Sequence, residues 1–325
     1  GEARAGRGPM IDADDAIEES ALAYLREPAR QDQPFALCVG FVAPHFPFIV
    51  PEPYFSMYYP EFGDLPSNPP GHLDNLPAAA DRLRRMFGFD GNSEEDIRCA
   101  RAAYYGLITY LDDKIGKLLD ALEETGLAQN TVVIHTSDHG ESLGEHGLWR
   151  KMNFYEQSAR VPLQIAWPGH IEGGQRIAGA TSLVDVTATI LDAGGAELDQ
   201  VAAMQLDGDS LLPLMQGDPG EWKDEAFSEH LAHGTDRARA MIRRGRWKLC
   251  YSHGTPPDIE LYDLESDPGE FDNLAGHTEH RAIRAELVAS VMEIWSDPDR
   301  LTEEIVASQQ SRKMIREVLG DSLIF

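Results

Sequence analysis

The chain has 325 residues, 42% apolar and 8% aromatic, the composition of an ordinary soluble protein built as one large domain or a large and a small one. Against 28 Lys and Arg it sets 55 Asp and Glu, and the resulting formal charge of −27 excludes nucleic acid as a partner. A small anionic substrate stays allowed, because a metal ion with one or two basic side chains reverses the potential locally.

Residues 1–10 are rich in Gly and Arg and read as a loop. Asp12 to Leu25 has helical spacing, with acids at its start that suit the helix dipole. Phe35 to Val42 is a continuous apolar run, expected to be a strand covered on both faces. It leads into Ala43-Pro44-His45-Phe46-Pro47-Phe48, where two prolines impose an irregular backbone around one histidine. Residues 49–93, rich in Pro, Tyr, Asn and Gly, read as a long connection, of a length usual for functional or mobile loops. Ser93-Glu94-Glu95 opens the longest helical pattern, which passes Leu107, Leu111, Leu118 and Leu122 and stops at Gly126. Strands are expected at 131–137 and 161–167, and a helix from Leu183 to Leu191, ended by Gly194-Gly195.

That alternation predicts an α/β fold, a mainly parallel sheet flanked by helices, over residues 1–215. From 216 to 325 the texture changes to a small α+β subdomain with a helical tail. Met241–Tyr251 and Glu260–Leu264 read as two strands of a small antiparallel sheet. Arg281–Trp295 should be a helix packed on it, followed by a charged amphipathic helix from Leu301 to Leu319. Cys38, Cys99 and Cys250 form no CxxC pair and imply neither a disulfide framework nor a zinc knuckle. Cys38 and Cys99 lie in apolar contexts and read as packed core thiols. No stretch is long and apolar enough to cross a bilayer, so no membrane partner is expected. No signal peptide is visible, yet the chain starts at Gly1 rather than Met. The compartment therefore stays open between cytoplasm and periplasm.

Ionisable groups concentrate in Thr136-Ser137-Asp138-His139-Gly140-Glu141-Ser142-Leu143-Gly144-Glu145-His146-Gly147-Leu148-Trp149-Arg150-Lys151. Asp138 and His139 sit where a predicted strand gives way to a glycine-rich loop, the edge at which open α/β sheets bind ligands. Such a pair can offer oxygen and nitrogen to one divalent ion; equally, it can be a turn cap beside a hydrogen-bonded histidine. Lys151 follows an aromatic-anchored loop and can steady charge developing on an anionic oxygen, or lie solvated on the surface. His45, at the end of another predicted strand, can share the same rim and protonate a departing alkoxide or bind a substrate oxygen.

This block, with its continuation Met152-Asn153-Phe154-Tyr155-Glu156-Gln157-Ser158-Ala159-Arg160-Val161-Pro162-Leu163, resembles the C-terminal metal-binding block of the sulfatases in the alkaline phosphatase superfamily. The resemblance extends to Ala43–Phe48 and to the run Leu261–Leu274, three blocks in the family's order. It implies an alkaline phosphatase-like fold and a metal-dependent hydrolase of small sulfate esters. By resemblance Asp138 and His139 are metal ligands, for Ca²⁺ first, with Mn²⁺ or Mg²⁺ as alternatives. Lys151 then bridges the sulfate and the nucleophile, and His45 faces the leaving group. Lys151-Met152, Ser158–Pro162 and the tail Val306–Arg312 are most similar to choline-sulfatase-like enzymes, whereas Phe46 departs from the polar residue expected there.

The family's nucleophile is a formylglycine made from Cys or Ser in a Cys/Ser-x-Pro/Ala-x-Arg motif, and no Cys here has that context. Ser308-Gln309-Gln310-Ser311-Arg312 imitates the spacing without the Pro or Ala. The paired acids of the family's first strand are also absent. We therefore expect the nucleophile and about half the metal shell upstream of Gly1, and the 325 residues to be inactive alone. Two other functions stay open: hydrolysis of phosphonate monoesters or phosphodiesters on the same scaffold, and a non-catalytic sulfatase-like protein that binds an anion or a partner. The C-terminal tail is a candidate surface for homo-oligomerisation.

Overall fold

A computed structural model of the chain describes residues 3–31, 33–196, 204–218, 220 and 222–320. Gly1 and Glu2, at the start of the expected first loop, lie outside them. Part of that loop is a strand: β1 (Ala3–Ala5) pairs in parallel with β2 (Phe48–Val50), Ala3 opposite Phe48 and Ala5 opposite Val50. Between them runs helix α1 (Pro9–Leu25), which starts with a proline at its first turn, where a missing N–H costs nothing.

The strand expected at 35–42 does not form. The run lies outside any ladder among the described residues, and Leu37 and Val42 are 38% and 45% exposed. Apolar content marks a run as able to be buried, but a strand also needs a partner carrying complementary hydrogen bonds. Cys38, on the same run, is exposed rather than packed, while Cys99 is half-buried and Cys250 buried.

The connection 49–93 holds more structure than its composition suggests. It contains α2 (Ala78–Phe87), closed by Gly88 at φ 65°. Next comes α3 (Glu94–Glu124), the long helix expected from periodicity. Ser93 accepts from the Asp96 N–H while Asp96 accepts from the Ser93 N–H, a reciprocal cap. Gly126 at φ 75° follows its end. Alanines and Leu107 on α3 pack with Ile11, Phe48, Val50 and Ala43 into one core. Gly106 is needed there, since a Cβ would stand 2.9 Å from the Tyr54 carbonyl.

After α3 come β3 (Val133–Thr136), the one-turn helix α4 (Glu156–Ala159) and β4 (Leu163–Ala166), then α5 (Leu183–Ala193). β3 and β4 pair antiparallel, Val133 opposite Ala166. Thus a parallel pair and an antiparallel pair share the α/β part of the chain.

The C-terminal sheet is a meander of β5 (Glu225–His230), β6 (Arg239–Arg244), β7 (Trp247–Ser252) and β8 (Asp258–Asp263), all antiparallel. The run 241–251, expected as one strand, is a hairpin. Arg244 pairs with Trp247 across Gly245 at φ 55°, a two-residue turn that requires the left-handed region. One face of this sheet packs Ala240, Ile242, Leu249 and Leu261 against Leu287, Val291 and Trp295 of α6 (Arg281–Trp295). Burial of each such side chain is worth about 1.5–3 kcal/mol. The other face carries Arg239, Met241, Lys248, Cys250, Glu260 and Tyr262 toward residues 148–156. Helix α7 (Pro298–Leu319) follows; Ile305 is buried, whereas Met314, Ile315 and Val318 are 65%, 55% and 76% exposed. No described helix is long and apolar enough to cross a membrane.

Candidate active site

Three segments converge at the end of β3. Asp14 of α1, fully buried, accepts the N–H groups of Val42 at 2.7 Å and Ala43 at 2.9 Å. That anchor sets the backbone just before His45, replacing the sheet neighbour the sequence suggested. Asp138 and His139 follow β3 directly, and the His45 and His139 rings lie 6.2 Å apart. Lys151 arrives from the far side, with Nζ 2.8 Å from His45 Nε2. All four residues singled out from the sequence therefore meet at one rim.

The loop between His139 and Lys151 is heavily constrained. Leu143, His146 and Arg150 all have positive φ, at 47°, 53° and 69°. Left-handed backbone at non-glycine residues costs roughly 1 kcal/mol or more each and persists only where neighbours enforce it. Glu141 is one enforcer: its Oε1 accepts from the N–H groups of Arg150 and Leu143. Burial pushes its carboxyl above the ordinary value. Arg101 of α3, itself 7% exposed, donates to the Leu143 carbonyl at 2.9 Å and pairs with Glu145 and Asp64. The Arg150 guanidinium lies 4.0 Å over the Phe46 ring, so the aromatic residue found where a polar one was expected carries a stacked cation. Glu141 and Arg101 were not singled out from sequence; only their packing reveals them.

His45 is half-buried. Burial first, then the Lys151 ammonium and the His139 ring beside it, hold its imidazole below the usual range. The neutral ring places its Nδ1–H toward the Phe46 carbonyl, 2.6 Å away, and leaves Nε2 to accept from Lys151. At His139 the Nδ1 lies 2.9 Å from the Gly140 carbonyl, which frees Nε2. That nitrogen is 3.4 Å from Asp138 Oδ2, and the Asp138 side chain is 84% exposed. The two atoms can touch one cation, with the imidazole tautomer already set by its backbone partner. Among the described residues no group of three or more His, Cys, Asp and Glu is arranged to hold a metal. The pair fits part of a coordination shell.

Gly140 follows because no other residue fits: a Cβ there would stand 2.0 Å from the Gln157 carbonyl oxygen. Its N–H donates to Ser158 O at 2.8 Å, tying the Asp138-His139 turn to α4.

The family profile described as Sulfatase matches residues 7–196, more than half of the chain. The chain belongs to the sulfatase family. A second profile, N-sulphoglucosamine sulphohydrolase, C-terminal, matches residues 144–297. The chain is 34% identical over 303 residues to choline-sulfatase from Rhizobium meliloti (strain 1021), covering 90% of this chain and 57% of that protein. It is 35% identical over 294 residues to the multifunctional alkaline phosphatase superfamily protein PehA from Trinickia caryophylli, covering 82% of this chain and 56% of the relative. The phosphonate monoester hydrolase SpPMH from Silicibacter pomeroyi superposes with a TM-score of 0.75 at 28% identity, over 90% of this chain and 60% of that one. The alkaline phosphatase-like α/β fold with a C-terminal antiparallel sheet is thereby established. The chain spans less than two thirds of the length of these relatives.

Proposed function

We propose that this chain contributes the anion-binding half of a metal-dependent sulfate ester hydrolase. The observation that carries the reading is the contact of Lys151 Nζ with His45 Nε2 beside the Asp138-His139 pair. Lys151 would turn its N–H groups to the equatorial oxygens of the sulfuryl group, where negative charge is held through the transition state. His45 Nε2 would face the departing oxygen. To act there as an acid, Nε2 would take up a proton from solvent once substrate draws Lys151 away, and pass it to the departing alkoxide or phenoxide, leaving the alcohol and a neutral ring. Nδ1–H on the Phe46 carbonyl keeps the ring from rotating away.

Asp138 and His139 Nε2 would hold one divalent ion, with Ca²⁺ ahead of Mn²⁺ and Mg²⁺ for an oxygen-rich shell. When bound, such an ion supplies Lewis-acid stabilisation of the anionic oxygens. The nucleophile expected of the family, formylglycine, has no precursor motif in these residues, and we place it and the remaining metal ligands in polypeptide beyond them. A small sulfate ester is the substrate class favoured by the choline-sulfatase relative. We place the boundary between the α/β portion and the C-terminal subdomain near residue 215.

The test is steady-state hydrolysis of an aryl and an alkyl sulfate by the full-length gene product, loaded with Ca²⁺ or Mn²⁺. Rates that vanish on chelation and return with metal are expected; metal-independent rates, or none, would sink the reading. The superposition on SpPMH and the likeness to PehA favour a second reading, hydrolysis of phosphonate monoesters or phosphodiesters. A larger kcat/KM for a phenyl phosphonate ester than for the aryl sulfate on the same preparation would establish it instead.

A further inference from the structure

Four charges sit at the junction between the C-terminal sheet and the catalytic loop. Lys248 of β7 has no exposed side-chain surface; its Nζ lies 2.9 Å from Glu156 Oε1 and 2.7 Å from Glu270 Oε1. Glu270 is equally buried, and Arg243 of β6 approaches the other oxygen of Glu156 at 3.7 Å. Two cations and two carboxylates balance. Such a cluster is a poor way to gain stability, because desolvation offsets the Coulomb attraction and apolar residues would do as well. What it supplies is geometric definition.

That definition is passed directly to the candidate site. Glu270 Oε2 accepts the Glu156 N–H at 2.6 Å, fixing the start of α4. Two residues on, Ser158 Oγ donates to the Lys151 carbonyl at 2.8 Å, and Ser158 O accepts the Gly140 N–H at 2.8 Å. One helical turn thus holds the backbone of Lys151 and of the residue after His139. Glu270 itself has φ 58°, a left-handed conformation tolerated where surroundings over-determine the residue.

We propose that Lys248, Glu270 and Glu156 are positioning residues: the C-terminal sheet uses this buried ion cluster to set the place of Lys151 relative to His45 and the Asp138-His139 turn. The proposal rests on the reading of Lys151 as the anion-binding group. A shift of α4 moves both sides of the site together, and displacements of about 1 Å at a reacting centre cost on the order of 100-fold in rate.

The test uses the full-length gene product with Lys248→Met and Glu270→Gln, followed by two measurements. Amide hydrogen exchange should accelerate about tenfold or more at Lys151, Glu156 and Ser158 while β6 and β7 stay protected, as expected for local rather than global opening. Hydrolysis of 4-nitrophenyl sulfate should lose roughly 10- to 100-fold in kcat with a smaller change in KM. Repeated in a Lys151→Arg background, the same substitutions should cost less than about threefold, because coupled residues are non-additive. Unchanged exchange in the loop, or an equal loss in both backgrounds, overturns the proposal. If Lys248→Met does not fold, Glu156→Gln is judged by the same two measures. Lys151→Ala with a wild-type rate, or no hydrolysis by the wild type, removes the anion-binding reading, and the exchange result alone then decides whether the cluster orders the loop.

Discussion

Lys151 Nζ stands 2.8 Å from His45 Nε2 although 106 residues separate them in the chain. The contact joins two independently anchored segments: Asp14 holds the backbone before His45, and Ser158 holds the carbonyl of Lys151. Asp14 lies outside every motif that announces the site, and Ser158 sits in the continuation of the Asp138–Lys151 block.

Replacing either partner should separate their roles. Lys151→Ala is expected to lower kcat/KM by about 10²–10³ for every sulfate ester, since the oxygens it faces are common to all. His45→Ala should cost roughly 10²–10⁴ for alkyl sulfates but far less for 4-nitrophenyl sulfate, whose leaving group needs little protonation. Equal losses for good and poor leaving groups would contradict a proton-donating His45. Steady-state kinetics on the full-length gene product provide the comparison.

Asp138→Asn and His139→Ala should each weaken divalent-ion binding, by at least the roughly 10- to 100-fold seen for lesser perturbations of metal sites. Calorimetric titration of the metal-stripped protein reads this without any assay of turnover. Unaltered affinity in both variants would remove the pair from the shell.

Gly140→Ala would place a Cβ against the Gln157 carbonyl, 2.0 Å away, in a turn that cannot open without moving α4. We expect a stability loss of about 1–3 kcal/mol, from overpacking, and a fall of about 100-fold in kcat/KM. Denaturant unfolding and kinetics check the two parts. A variant with wild-type stability would mean that the turn and α4 can part freely.

Glu260 makes stability depend on pH. It is buried in the C-terminal sheet, accepts the Tyr262 hydroxyl at 2.8 Å, and burial pushes its carboxyl from 4.5 up to about 7. The folded state then binds the proton more tightly than the unfolded chain does. The contribution is fully present below about 4.5 and declines as pH rises to about 7. Glu260→Gln should abolish that decline and raise stability at pH 8 by on the order of 1–3 kcal/mol. Unfolding curves at pH 5 and pH 8 test it; a slope identical to wild type would show that Glu260 is not the titrating group.

Much of the architecture was legible locally. The Ser93 cap, the Gly126 stop and the leucine spacing of α3 are short-range effects, so periodicity and end signals located the helix to within a residue or two. α2 was overlooked because the prolines around it outweighed its alanines, although Gly88 marks its end. The single strand expected over 241–251 was instead a hairpin, since Gly245 turns the chain in only two residues.

From sequence alone came the family, the chemical character of Asp138, His139, Lys151 and His45, and the glycine between His139 and Glu141. These follow from residue type and order, which a linear string contains completely. Tertiary structure decided the rest. It left the apolar run 35–42 without a ladder among the described residues, because a strand is a property of two segments. It buried Lys248 with Glu156 and Glu270, because the worth of a charge depends on which face of a sheet is covered and by what. It also brought His45 to Lys151, a meeting that depends on Asp14 holding the backbone before His45 from a separate helix.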